Sequence, residues 1–168
     1  THDDVSVLQD LIFNSNLAIK PLDLGEQIWN ENGRIIVLNC DSTGLSGEIP
    51  ESIGNLTELK QLGLKNNNLS GNIPESIGNL VKLTQLNLAH NALDGSIPYT
   101  IGNLKSLTNL VLSNNQFTGS IPISIGKLSI LHTFLADSNN LSGTIPDDIC
   151  TIYPNLIDYD LTSNRFCP

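Results

Sequence analysis

The stretch LTQLNLAHNALDGSIPYTIGNLKS, residues 83–106, contains the pattern that decides the fold. It places Leu at spacings of three and two, then an Asn, and then Gly-Ser-Ile-Pro before a short Ile-Gly-Asn-Leu segment. The pattern recurs every 24 residues, with copies that begin at Leu59, Leu83, Leu107 and Leu131 and incomplete copies from Ile35 and Leu156. The chain is therefore mostly one supersecondary unit repeated in tandem.

Each part of the repeat predicts a local structure. Positions 3 to 7, counted from the first Leu, alternate polar and apolar residues, which indicates a half-buried strand. Gly-Ser-Ile-Pro predicts extended chain leaving the strand, and the next segment predicts a short 3₁₀ or helical turn. One strand cannot bury its own apolar face, so stacked copies are expected to form a parallel sheet over a shared core. In the quoted copy the predicted core residues are Leu83, Leu86, Leu88, Leu93, Ile97, Ile101 and Leu104.

An Asn stands at position 9 of five copies, and Thr43 takes this place in the first. A side-chain amide both donates and accepts hydrogen bonds. We expect these side chains to satisfy backbone groups of the bending loop and to bond to one another. The five residues are Asn67, Asn91, Asn115, Asn139 and Asn164.

The consensus LxxLxLxxNxLSGxIPxxIGNLxx resembles the plant-type extracellular leucine-rich repeat of receptor-kinase ectodomains, polygalacturonase inhibitors and bacterial surface proteins. The resemblance covers roughly residues 35–168. It implies an α/β repeat fold, a right-handed solenoid with a parallel sheet of about six strands on its concave face and short 3₁₀ or helical turns on its convex side. We expect a helical N-terminal cap over residues 1–34, five repeats over 35–155 and a truncated capping repeat over 156–168.

The first 34 residues do not repeat. Asp3 and Asp4 are placed to cap a helix N-terminus. Apolar residues on one face of that helix follow, namely Val5, Leu8, Leu11 and Ile12. With Trp29 before the first strand, this region resembles the N-terminal cap of the family. The family usually carries a Cys pair there, whereas only Cys40 is nearby, at a core position, and we expect it to be a buried free thiol.

Two further cysteines, Cys150 and Cys167, lie in the last full repeat and the truncated one. A disulfide between them would close this end of the solenoid and stabilise the fold by about 3 kcal/mol in the loop-entropy model. It would also indicate an oxidising compartment. Two unpaired thiols are the alternative.

Composition argues against several functions. The formal charge is −9 and there are only eight Lys and Arg residues, which disfavours nucleic acid. No apolar run is long enough for membrane insertion, and no metal motif, cofactor motif or activated nucleophile indicates an enzyme. The absence of Met and of a signal-like start favours a mature product or an excised part of a longer protein. The glycosylation sequons at Asn55, Asn68 and Asn140 follow from the repeat consensus itself.

The outward positions of the concave sheet are the ones that packing does not constrain. Val111 and Leu135 form an apolar step exposed there, bordered by His132 and Asp158, which are expected to approach one another without forming a triad. Basic residues mark the N-terminal side of the face and acidic residues its C-terminal side. The predicted ligand-contacting residues are Lys65, His90, Asn109, Val111, His132, Leu135, Asp137, Asp158 and Asp160.

These features favour a monomeric, non-catalytic recognition module, extracellular or at the cell surface, that binds a protein or glycan ligand through the concave sheet. One alternative, implied by the resemblance, is an inhibitor of a secreted polysaccharide-degrading enzyme. Another is an ice-binding protein, because Ser and Thr recur at positions 12 and 14. Those rows comprise Ser46, Ser70, Thr118 and Ser142, and Ser96, Ser120 and Thr144, and they are interrupted by Glu48, Asn72 and Asp94.

Overall fold

The computed structural model describes residues 2–166 of the chain. Helix α1 covers His2–Asn14 and α2 covers Ile149–Ile152. The strands are β1 (Glu26–Trp29), β2 (Ile35–Asn39), β3 (Ser46–Glu48), β4 (Gln61–Gly63), β5 (Asn68–Gly71), β6 (Gln85–Asn87), β7 (Ala92–Leu93), β8 (Asn109–Val111), β9 (Thr133–Leu135), β10 (Ser142–Gly143), β11 (Asp158–Asp160) and β12 (Arg165–Phe166). Short 3₁₀ helices occupy Pro21–Asp23, Glu51–Asn55, Glu75–Asn79, Tyr99–Asn103, Ile123–Lys127 and Tyr153–Asn155.

One strand from each copy joins a long sheet in the order β1-β2-β4-β6-β8-β9-β11. The six strands from β2 onward are parallel and pair in the register of the repeat, so Leu62 lies opposite Leu86 and Leu86 opposite Leu110. β1 pairs antiparallel with β2 and makes a seventh strand that the repeat pattern does not predict. The parallel solenoid and its short 3₁₀ turns are as predicted.

The core is one continuous cluster that runs through all the copies. All seven apolar positions of the copy at residues 83–106 are buried, with exposed fractions of 3% or less, which confirms the predicted register. Phe117 and Phe134 replace Leu at two of these positions and are the largest fully buried side chains.

The Asn side chains at position 9 are hydrogen-bonded to the main chain. Asn115 Nδ2 donates to the carbonyls of Leu88 and Leu112, at 3.0 and 3.1 Å, and its Oδ1 accepts from Leu93 N. The expectation that these side chains bond to one another is wrong within residues 2–166. Each amide reaches instead to the backbone of the preceding copy, because that is where the turn leaves carbonyl and N–H groups without partners.

A second set of strands was not foreseen in the sequence. β3, β5 and β7 form a parallel sheet, and β10 pairs with β12. The chain turns between the two sheets through a residue in the left-handed region at position 8, such as His90 with φ 57° and Asn114 with φ 58°. The Gly at position 13 is also left-handed, for example Gly71 at φ 72°, a conformation that a residue with a Cβ adopts at a cost.

Asp4 has a role different from the predicted helix cap. α1 already begins at His2, and the Asp4 side chain is completely buried against the first parallel strand. Its carboxylate accepts from Ile35 N at 2.7 Å and from Arg34 Nε at 2.8 Å. The ion pair satisfies a buried charge with directed hydrogen bonds and fixes α1 to β2. Val5 is only half-buried, whereas the helix face against the core comprises Val7, Leu8, Leu11 and Ile12.

Cys40 is a buried free thiol, as predicted. Burial, reinforced by the nearby charge of Asp41, raises the pKa of this thiol to about 12. Cys150 is exposed at the surface of α2. Cys167 lies outside the described residues, so the Cys150–Cys167 disulfide stays a prediction.

The register of the repeat predicts opposite effects for two adjacent residues. Leu110→Asp should lower the free energy of unfolding by more than about 3 kcal/mol, because it places an unpaired charge at a fully buried position. Asn109→Asp should change it by about 0.5 kcal/mol or less, because the residue faces outward and a carboxylate can still accept from Thr108 Oγ1. Urea denaturation followed by circular dichroism measures both, and equal stability of the two variants would contradict the register.

The cysteines are expected to differ in reactivity. Native protein treated with iodoacetamide at pH 8 should leave Cys40 unmodified, since burial blocks access and its raised pKa suppresses the reactive thiolate. Mass spectrometry of a non-reduced digest should also show Cys150 linked to Cys167. A disulfide that includes Cys40 would be incompatible with its place in the core.

Candidate functional site

The outward face of the long sheet consists of two rows of side chains that are in register across the strands. The position-3 row comprises Val37, Gln61, Gln85, Asn109, Thr133 and Asp158. The position-5 row comprises Asn39, Gly63, Asn87, Val111, Leu135 and Asp160. Strand β1 extends both rows, because Ile28 pairs with Val37 and Glu26 with Asn39. The face therefore has fixed geometry and a composition that changes from copy to copy.

Val111 and Leu135 lie side by side in the position-5 row, as the sequence predicts. Both are half-buried, so they are less exposed than the sequence predicts. The reason is the close spacing of about 4.8 Å between paired strands, which lets neighbouring side chains in a row cover one another's flanks. The pair still forms the apolar step between Asn87 on one side and Asp160 on the other.

His132 and Asp158 are both exposed, but they do not form an ion pair. The link between them is a backbone hydrogen bond from Asp158 N to the His132 carbonyl, at 3.1 Å. Asp158 is in register with Thr133, one residue beyond His132, and successive residues of a strand point to opposite sides. The two side chains are thus separate candidates for ligand contact.

The remaining predicted residues lie at the ends of the strands. His90 is exposed in the left-handed turn, and Lys65 and Asn109 are half-buried. Asp160 Oδ1 accepts from Thr162 N at 2.8 Å, and this hydrogen bond holds the pKa of Asp160 below its usual range. Asp137 accepts a hydrogen bond from Ser138 Oγ at 3.1 Å. The carboxylates of Asp160 and Asp137 therefore already accept hydrogen bonds within the protein.

Around Gly63 the face has a depression of about 230 Å³, which we call the Gly63 notch. It exists because Gly63 supplies no side chain where every other strand of the position-5 row has one. A Cβ placed there would lie 2.9 Å from both Asn39 Oδ1 and Asp41 Oδ1. The residues around it are Glu26, Ile28, Val37, Leu38, Asn39, Asp41, Gln61, Leu62, Gly63, Gln85 and Asn87.

The notch changes the expected charge pattern. The sequence predicts a basic N-terminal side of the face from Lys60 and Lys65, but Glu26 and Asp41 are present on the same side. Sequence reasoning missed Glu26 because it did not predict β1. The signal for the notch was visible as a lone Gly at an outward strand position, since such a residue often marks close approach of another molecule.

Two further features of residues 2–166 bear on function. They contain no group of three or more His, Cys, Asp or Glu side chains placed to hold a metal ion. None of their helices has the length and apolar character needed to cross a bilayer.

A model of the family described as a leucine-rich repeat region matches residues 35–138, more than half of the chain. The chain belongs to the leucine-rich-repeat family, in its plant-type extracellular form. No curated protein matches it in a sequence search.

The chain is similar to solved structures of proteins with different functions, and three of them illustrate this range. The first is the leucine-rich-repeat ectodomain of the receptor kinase SOBIR1 from Arabidopsis thaliana, with 29% identity, a TM-score of 0.84 and coverage of 99% of this chain and 96% of that one. The second is the plant peptide hormone receptor RGFR1 in complex with RGF2, with 33% identity, a TM-score of 0.72 and coverage of 77% and 24%. The third is a plant ice-binding protein, with 28% identity, a TM-score of 0.82 and coverage of 99% and 57%. The chain thus spans about a quarter of the RGFR1 chain.

Proposed function

We propose that this chain is a non-catalytic extracellular recognition module that binds a protein or peptide ligand across the outward rows of the long sheet. The observation that carries the proposal is the contrast between the two sides of each strand. Inward residues are apolar and buried in every copy from β2 to β9, while outward residues change in size, polarity and charge between adjacent strands. Packing of the core does not require the outward residues to vary in this way. A surface that recognises a specific ligand does require such variation.

The apolar step offers a centre for such an interface. Binding energy in protein interfaces is concentrated in a few well-packed residues surrounded by polar ones. Val111 and Leu135 are already held by neighbouring strands, so little conformational entropy is lost when a ligand covers them. Polar and charged groups flank them, including His132, Asp137 and Asp160. The similar receptor RGFR1, solved in complex with RGF2, supports a ligand of this class.

A selection from random linear peptides displayed on phage tests this function. Peptides enriched on the immobilised chain should bind Leu135→Lys at least about ten-fold more weakly, a loss of roughly 1.4 kcal/mol, because the change removes an apolar contact and adds a charge at the centre of the face. The matched control is Ile123→Lys, which adds the same charge at an exposed residue of a 3₁₀ helix on the other side of the repeat.

The variants must first be shown to fold. Leu135 is half-buried, so Leu135→Lys should cost about 1 kcal/mol of stability, within the range of ordinary substitutions. Circular dichroism then checks that both variants retain the wild-type spectrum. Equal binding of the enriched peptides to both variants would place the ligand elsewhere and contradict the proposal.

Ice binding is the second candidate, supported by a specific surface feature and by similarity to the plant ice-binding structure. The hydroxyl-bearing residues Ser96, Ser120 and Thr144 are exposed in three consecutive copies at position 14. Charged Glu48 and the amide of Asn72 replace them in the first two copies, which shortens the row.

This candidate predicts thermal hysteresis, measured on single ice crystals in a nanolitre osmometer. Ser120→Lys should abolish the effect, because a charge in the middle of the row disrupts a regular ice-facing surface. Leu135→Lys, which lies on the long sheet and away from this row, should leave it unchanged. Absence of hysteresis in the wild-type chain would eliminate this candidate without affecting the first.

A further inference from the structure

The Gly63 notch combines two carboxylates, several side-chain amides and an apolar wall in one depression. Its volume of about 230 Å³ corresponds to about eight waters at roughly 30 Å³ each, which is room for one long side chain. Ile28 and Val37 stand opposite one another at one edge, and Glu26 stands opposite Asn39 next to them. An apolar wall beside an acidic one matches a side chain that has an aliphatic stem and a charged head.

The carboxylates of the notch have no counter-ion inside the protein. Within residues 2–166 the ion pairs are Arg34–Asp4 and Lys82–Glu58, so neither Glu26 nor Asp41 is neutralised by a basic side chain. Lys65 is the neighbour in the repeat, and it contributes only its backbone N–H, which donates to Asp41 Oδ1 at 2.7 Å. The other oxygen of Asp41 and the whole carboxylate of Glu26 receive no hydrogen bond from the described residues. Both remain available to a donor from outside.

Of the four side-chain amides around the notch, two are held by the backbone and two are uncommitted within the described residues. Asn39 Oδ1 accepts from Asp41 N, and Asn87 Oδ1 accepts from Ala89 N, so the backbone fixes the orientation of both side chains. Gln61 and Gln85, in register on adjacent strands, make no side-chain hydrogen bond within the described residues. Their carbonyl oxygens are acceptors that can satisfy several N–H groups of one cation at once.

From this geometry we infer that the Gly63 notch is a binding site for a basic side chain, an arginine or lysine of the protein ligand. The aliphatic stem lies along Ile28 and Val37, and the cationic head faces Glu26 and Asp41. Gly63 is required because any side chain at this position would fill the space. The inference rests on the recognition function proposed above and adds to it a second contact, at the N-terminal end of the face, that requires positive charge in the ligand.

A titration of the whole chain with small probes, followed by two-dimensional ¹H–¹⁵N NMR, tests the site directly. N-acetyl-arginine amide and N-acetyl-lysine amide should shift the backbone amide of Gly63 and the side-chain amides of Gln61 and Gln85. The neutral analogues N-acetyl-citrulline amide and N-acetyl-norleucine amide should bind at least about five-fold more weakly, the size expected from two solvent-exposed ion pairs. The stronger of the two cationic probes identifies the preferred residue.

Charge-removing variants supply the matched control. Glu26→Gln combined with Asp41→Asn should weaken the cationic probes by about five-fold or more. The Asn retains an Oδ1 that accepts from Lys65 N, so the fold should be maintained. Glu75→Gln combined with Asp94→Asn removes the same net charge from exposed positions away from the notch and should leave the affinity unchanged.

Three results would overturn the inference. These are no shifts at Gly63 with either cationic probe, equal affinity for the neutral analogues, and unaltered binding by the Glu26/Asp41 double variant. None of them affects the peptide selection, which depends on Leu135. A failure of the notch is therefore distinguishable from a failure of the recognition function.

Discussion

The structure depends on a buried or half-buried side-chain amide that follows five of the six parallel strands. At this point the chain must leave the long sheet and turn toward the second one, and a turn inside a stack leaves backbone groups without partners. Asn139 illustrates the solution, because its Nδ2 donates to the carbonyls of Leu112 and Ala136 and its Oδ1 accepts from Phe117 N. Replacement by an apolar residue would leave several of these buried groups unsatisfied, each at a cost of about 1–3 kcal/mol.

This amide also sets the register between copies. Its Oδ1 accepts from the backbone N–H two residues after the corresponding Asn of the preceding copy, and its Nδ2 donates to carbonyls in both copies, so neighbouring turns cannot slide past one another. The left-handed residue at position 8, for example Asn114, and the 3₁₀ helix further along can then recur at the same place. Since backbone hydrogen bonds and inward leucines fix the scaffold, the outward rows carry few structural constraints and remain open to selection for binding.

The repeating part of the fold could be predicted from the sequence, and the non-repeating part could not. The buried positions, the parallel strands and the 3₁₀ turns follow from apolar spacing, because each copy meets the same neighbours. β1 and the buried contact between Asp4 and Ile35 N depend on pairing between segments that occur once, and no periodicity indicates them. The prediction that the Asn side chains bond to backbone groups of the bending loop is confirmed, whereas the predicted bonds between Asn side chains are wrong within residues 2–166. The sequence shows the repeated amide but not the unpaired backbone groups of the preceding copy.

The candidate site likewise has a part that the sequence predicts and a part that it does not. Val111 and Leu135 were identifiable as outward residues because register alone determines which way they point, although their burial depends on neighbours in the row. The Gly63 notch needed the structure, since its acidic wall combines Asp41 of one copy with Glu26 of a strand outside the repeat. What the sequence did show was a missing side chain.

The far end of the sheet exposes a polar and charged edge strand. Tyr159 takes the inward position that Leu110 and Phe134 occupy in earlier strands, yet it is 49% exposed because β11 is the edge strand. Its hydroxyl lies 3.1 Å from that of Tyr153, and the two rings pack edge to face. A phenol tolerates water where Leu would not. Asp158 and Asp160 flank it on the outward side, and charges on an edge strand oppose strand pairing with another chain.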